Sequence, residues 1–377
     1  GRVPRWAVAR HRLRPTLRAH CGWCGAAYGC GWPWPVASRW GCVVLEHGGQ
    51  LRDVARRTGT PWADWLDLST GISPWSWAAE TGFAPTAESW RRLPDDDDGL
   101  RRAAADYYGG EVLPTAGSQA AIQALPRLRP AATVGICAPT YAEHAEQWRR
   151  AGHAVVAVAA DRIAQQLDHL DVLLLCNPNN PDGYVFNTEA LRACQARQRE
   201  RDGWLVVDEA FVDCTPEVSV KTEVQDGGLL ILRSFGKFFG LAGLRLGFLL
   251  GPAEIAAPLL ERLGPWGVST PALRVAAKAY GDATWIVETR KHLSGQMDRL
   301  RARVIPLLGT EIGRTPLFML LDCVDAGAAA AQLADHGIFV RTFPNMRNYL
   351  RLGLPGEPWA WERLETALTE WEHKNEC

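Results

Sequence analysis

The chain has 377 residues, 47% of them hydrophobic, which is enough to bury a large core and more than one average domain requires. Its 41 basic and 42 acidic residues leave a net charge of −1, so there is no electrostatic case for nucleic acid or an anionic membrane surface. No stretch reaches the roughly 18 uncharged apolar residues of a membrane span, and a soluble, enzyme-sized globular protein is expected.

Residues 1–42 are rich in Arg and Trp and show no periodicity. Cys21 and Cys24 have the spacing of a zinc-ligand pair, but Cys30 and Cys42 do not repeat it, and no apolar run with a small-residue cleavage pattern marks a targeting peptide. A poorly ordered or atypical extension is expected there. The cysteines from Cys137 onward are widely spaced, several of them within apolar runs; they read as buried reduced thiols, which favours the cytoplasm.

Ordered sequence is expected from VVLEHGGQL (43–51), with a helical pattern over 48–59 and a brief strand running into a Gly/Pro-punctuated loop in DWLDLSTGISPW (64–75). The four aspartates of LPDDDDGLRRAAADYYGG look like a metal cluster. Aspartate at a helix start, however, caps free N–H groups and complements the dipole, so Asp95 to Asp98 are assigned a capping and solvation role at the helix 100–108.

From 111 to 250, apolar runs at 133–137, 154–158, 171–176, 204–208, 229–234 and 246–250 predict strands, and 118–128, 142–151 and 188–201 predict helices between them. Continuous rather than alternating apolar strands indicate a mostly parallel sheet covered on both faces, with ligands beyond the strand C-termini. Past 251 come a long helix near 284–307, strands at 318–324, 338–343 and 349–354, and helices at 326–336 and 357–373. These predict a smaller α+β domain. The expected organisation is an extension at 1–42, a segment at 43–84 joining the small domain or covering the cleft, a large domain at 85–265, and a small domain at 266–377 that includes an interdomain helix.

The chemistry centres on ILRSFGKFFGLAGLRLG (231–247). A lysine among small, apolar and aromatic residues loses its ammonium form to desolvation and can attack an aldehyde, so Lys237 is a candidate for imine chemistry. Ser234 and Arg245 can hold a phosphate beside it. An amine for an aldehyde and donors for a phosphate are what pyridoxal 5'-phosphate needs. Taken alone, Ser-x-x-Lys also occurs in serine β-lactamases. Gly117, Ser118 and Gln119 open a helix and form a possible anion site, and Tyr141 could stack on a flat ring. CNPNNPDG (176–183) stops a strand in two rigid Asn-Pro steps, and Asp208 ends an apolar strand where a buried acid requires a cation: either a protonated ring nitrogen or an arginine.

CNPNNPDG, VVDEAFVD and SFGKFFGLAGLRLG, in that order and spacing, resemble the fold-type I, pyridoxal-phosphate-dependent enzymes of the class I/II aminotransferase family over roughly residues 45–375. The resemblance implies an α/β fold with a mostly parallel, helix-covered central sheet and a smaller α+β domain. It implies pyridoxal 5'-phosphate as cofactor, with Lys237 condensing with the aldehyde and Asp208 pairing with the pyridine nitrogen. Asn180 would bond the phenolic oxygen and Tyr141 stack on the ring. Gly117, Ser118, Ser234 and Arg245 would hold the phosphate, and Arg351 in YLRLGLP would grip the substrate carboxylate.

Within this group, LEHGGQL, WLDLSTGISP, LPDDDDGLRRAAADYYG and LRLGLPGEPWAWERLETAL are similar to segments of the threonine-phosphate decarboxylases of cobalamin biosynthesis. Phe211 stands where aminotransferases usually place a Tyr, and the decarboxylases are similar in this. Asp182-Gly183 departs from their usual Thr-Gly. The likeness implies a carboxy-lyase acting on a small phosphorylated amino acid, no metal, and a homodimer; histidinol-phosphate aminotransferase is the alternative. The substrate phosphate is assigned to His47, the Gly48 and Gly49 N–H groups and the Gly71–Ser73 loop, which includes Ile72 and Ser73.

Overall fold

The computed structural model describes residues 36–37, 43–44, 47–95, 99–221, 224 and 227–376. The Cys21–Cys24 pair, nearly all of the 1–42 extension and Asp96 to Asp98 lie outside the described residues. Among the described residues, no helix is long and apolar enough to cross a membrane.

Seven strands form the main sheet, in the spatial order Leu113–Thr115, Gly247–Leu250, Leu229–Ser234, Trp204–Asp208, Val172–Cys176, Thr133–Cys137, Ala154–Val158. The last five run parallel, and Gly247–Leu250 is antiparallel to both its neighbours. Side chains alternate across a strand, so each interior strand feeds two cores. Leu173, Leu175, Leu205, Val207, Leu229 and Ile231 enter one apolar cluster, while Val172, Leu174, Val206, Leu230 and Leu232 enter the other. Both faces are dry, which is why these strands carry no polar alternation. The expected α/β architecture is the one observed.

A second, antiparallel sheet orders Thr310–Thr315, Phe318–Asp322, Tyr349–Gly353 and Arg341–Thr342. Helices Ala283–Leu308, Ala326–Asp335 and Pro358–Glu376 accompany it. The single strand expected over 338–343 divides at Val340: Ile338–Phe339 pairs in parallel with Leu66–Asp67, and Arg341–Thr342 pairs with Tyr349–Gly353. The N-terminal segment is thereby stitched to the C-terminal one. The capping assignment of the aspartates is corrected in part. Gly99, at φ +84°, is the N-cap residue of Leu100–Tyr108 with no side-chain cap bond, and Asp95 stands exposed ahead of it.

Beneath the strand ends lies a buried ion triad. Arg233 reaches Glu209 at 2.8 Å and Asp213 at 3.1 Å, all three side chains being at most 3% exposed. The triad ties the residue after Asp208 to the residue before Ser234. Removing its cation strands two acids in the core, so Arg233→Leu is expected to lower stability by about 3–5 kcal/mol in urea unfolding.

Candidate active site

The motifs meet at the C-terminal edge of the parallel strands. Lys237 lies on the one-turn helix Phe235–Phe238, directly after the strand Leu229–Ser234, and its carbonyl accepts from the Ser73 N–H at 2.8 Å. Its Nζ stands 5.7 Å from the centre of the Phe211 ring. Burial, with the Arg351 and Arg245 cations, pushes its amine down to about 8 against the pull of Asp208. Asp208 is 5% exposed, and its Oδ2 is 2.8 Å from His144 Nε2 while Oδ1 accepts from the Ala210 N–H. Among the described residues the ion-pair partner of Asp208 is His144 and not an arginine; Arg233, one strand over, is held by Glu209 and Asp213.

Arg351, on the strand Tyr349–Gly353, packs its guanidinium 5.0 Å from the centre of the Phe318 ring. It donates from Nη1 to Asn180 Oδ1 and from Nη2 to the Ser69 carbonyl at 2.7 Å. Each of those nitrogens keeps a second hydrogen for a ligand, and Asn180 keeps its amide hydrogens. Asp182, the departure in the Asn-Pro loop, has a local purpose: its carboxylate accepts from the Asn179 amide at 2.8 Å and the Tyr184 N–H at 3.0 Å, closing the turn. Phe211 and Phe318 meet edge to face at 5.0 Å. Gly71 lies against both, and a Cβ there would come 2.7 Å from one ring and 2.9 Å from the other.

Gly117, at φ +71°, precedes the helix Ser118–Ala124, and a Cβ on it would sit 2.6 Å from Arg245 Nη2. The backbone there closes on a cation, as a phosphate cradle requires. Tyr141 donates its hydroxyl to Gln119 Oε1 at 3.2 Å, and its ring is 5.6 Å from that of His47. Amine, buried acid, flat aromatic and phosphate donors form a set that suits pyridoxal 5'-phosphate. The three buried donors His144, Cys176 and Asp208 also lie within 4.8 Å of one another, the composition of a metal site. Burial, however, pushes the Cys176 thiol well above its usual range, which does not favour the thiolate a metal would take.

Two of the groups assigned to the substrate phosphate are used within the chain. The Gly49 N–H donates to Ser69 Oγ at 2.7 Å, and the Ser73 N–H to the Lys237 carbonyl. His47, Gly48 and Ile72 are part-buried. Glu143 and His144 were not anticipated from sequence. Their only local signal is a position within one helical turn of Tyr141.

A family model, aminotransferase class I and II, matches residues 77–359. The chain belongs to this aminotransferase family. A threonine-phosphate decarboxylase of Pseudomonas aeruginosa is 50% identical over 86% of this chain and 97% of its own length. Another, from a Sinorhizobium species, is 41% identical over 87% of this chain and 98% of its own. The crystal structure of a histidinol-phosphate aminotransferase from Clostridium acetobutylicum superposes with a TM-score of 0.74 at 21% identity, covering 82% of this chain and 99% of that one. At that identity it establishes the shared aminotransferase fold alone.

Proposed function

We propose that this chain is a pyridoxal-phosphate-dependent carboxy-lyase that converts L-threonine O-3-phosphate to (R)-1-aminopropan-2-ol O-phosphate and CO₂, a step of cobalamin biosynthesis. The observation that carries the reading is the meeting of Lys237, Asp208 and Arg351 in one site, in a chain half identical to a threonine-phosphate decarboxylase. Residues 85–265 hold the cofactor, 266–377 bring Arg351, and 43–84 cover the cleft. The enzyme works in the cytoplasm as a homodimer.

Bound here, pyridoxal 5'-phosphate supplies an electron sink for the pair left on Cα as CO₂ departs. Gly117, Ser118, Ser234 and Arg245 hold its phosphate, Tyr141 covers its ring, and Asn180 donates to its phenolic oxygen. Phe211 adds no second donor there. Asp208, kept in place by His144, holds a proton on the ring nitrogen. Arg351 sets the orientation of the substrate by gripping the carboxylate with its two remaining Nη hydrogens. With the cofactor bound, that grip would decide which bond to Cα breaks. Lys237 then returns a proton to Cα.

The depressed lysine gives a pH prediction. Below pH 8 the Lys237 amine is mostly protonated, so the rate of cofactor uptake by the unloaded chain is expected to rise about tenfold per pH unit and to level off near 8. An ordinary lysine would keep the rate rising to about pH 10. Stopped-flow absorbance from pH 6 to 10 distinguishes the two. The function itself is tested by incubating the loaded protein with L-threonine O-3-phosphate, with and without 2-oxoglutarate. CO₂ release that ignores the keto acid is expected. Glutamate formation that depends on it would instead mark a transaminase.

A further inference from the structure

Glu143 gathers three donors, one from its own helix and two from distant parts of the chain. Its Oε1 accepts from His47 Nε2 at 3.0 Å, and its Oε2 accepts from Gln119 Nε2 and Gln147 Nε2, each at 3.0 Å. The carboxylate lies at the start of the helix Ala142–Arg150, and its side chain is 14% exposed. The His47 bond, with those of Gln147 and Gln119, draws the Glu143 carboxyl down to about 2 against the cost of burial. A carboxylate can only accept, so His47 must donate from Nε2, and Nδ1 alone is left to meet a ligand; it donates to a phosphate oxygen when the ring carries a proton on both nitrogens. The imidazole also stands 5.6 Å from the Tyr141 ring, beside the face proposed for the cofactor.

We propose that Glu143 is a positioning residue for substrate selection: it clasps the imidazole of His47 to the large domain and aims Nδ1 at the phosphate of the bound amino acid. This rests on the proposed phosphorylated substrate and on His47 as one of its donors. Glu143 does not touch the substrate. Its effect is to pre-organise the donor, so that ordering a segment 96 residues away in sequence is completed before binding. The same carboxylate steadies Gln119, which accepts from Tyr141, so the substrate-phosphate donor and the stacking ring are held by one anchor.

The test compares the wild type with Glu143→Ala, Glu143→Gln, His47→Ala and the double variant Glu143→Ala/His47→Ala. For each, kcat and KM are measured with L-threonine O-3-phosphate and with L-threonine, together with cofactor Kd and the melting temperature of the unloaded chain. The selectivity, phosphorylated over unphosphorylated kcat/KM, is expected to fall about tenfold in Glu143→Ala, mainly through KM, as for loss of a charge-assisted bond. His47→Ala should fall as far, and the double variant no further, because both changes remove one device. Glu143→Gln, which keeps an acceptor but no charge, should lie between. The proposal is overturned if selectivity holds in Glu143→Ala, if the double variant shows the product of the two losses, or if Glu143→Ala weakens only cofactor binding or only folding. Loss in Glu143→Ala with none in His47→Ala also overturns it. A wild type that releases no CO₂ from either substrate is a different result: it rejects the proposed reaction.

Discussion

Replacing Lys237 by alanine is expected to lower kcat for CO₂ release by about 10⁴-fold while leaving the fold intact. The loss is large because the proposed mechanism gives one amine two tasks, attack on the cofactor's aldehyde and return of a proton to Cα. The fold should survive because the contact Lys237 gives the scaffold is its carbonyl, which accepts from Ser73 and which alanine retains. Removing a cation that burial already disfavours also offsets the packing lost with the lysine stem beside Phe211. Lys237→Arg should be as inactive as alanine, since a guanidinium is not deprotonated in a protein. A Lys237→Ala enzyme that kept more than a hundredth of wild-type kcat would show the chemistry to lie elsewhere.

Asp208→Asn is expected to cost about 10³-fold in kcat, with KM little changed. The two side chains have the same shape, so the acceptor for the Ala210 N–H survives, while the charge is lost and an amide nitrogen replaces the oxygen that faces His144 Nε2. That charge sits at 5% exposure with His144 as its neighbour, and its strength comes from the absence of water. On the proposed role, its loss leaves the ring nitrogen without the anion that keeps it protonated, and the electron sink is weakened. Circular dichroism and the melting temperature should separate this from misfolding. If kcat fell less than tenfold, the acid would be structural.

The sheet was legible in the sequence from its unbroken apolar runs, which burial on both faces explains for the interior strands but not for the edge strand Ala154–Val158, where Val158 alone is buried. The predicted strands 133–137, 154–158, 204–208 and 229–234 coincide with Thr133–Cys137, Ala154–Val158, Trp204–Asp208 and Leu229–Ser234. Thr310–Thr315 was not legible, because half of its residues are exposed and Glu311, Gly313 and Arg314 leave no apolar run to read. Helices Ala253–Leu263 and Thr270–Tyr280 were missed as well, the first disguised by Pro258 within it. In the site, Lys237, Asp208, Asn180 and Arg351 could be picked out because each sits in a motif at a strand end or on a strand. Glu143 and His144 could not, since their significance exists only in contacts with His47 and Asp208, 96 and 64 residues distant. Sequence also marks the Gly49 N–H and the Gly71–Ser73 loop as available to a phosphate, but the fold pairs the Gly49 N–H with Ser69 and the Ser73 N–H with the Lys237 carbonyl, contacts that no local pattern shows.

What separates the proposed reaction from its nearest alternative is which bond to Cα breaks, and isotope at that carbon reports it directly. Supplied with L-threonine O-3-phosphate deuterated at Cα, the loaded enzyme is predicted to yield an aminopropanol phosphate that keeps the deuterium and carries one new hydrogen from solvent. Loss of the deuterium to water, with the carboxylate still attached to the product, would contradict the account.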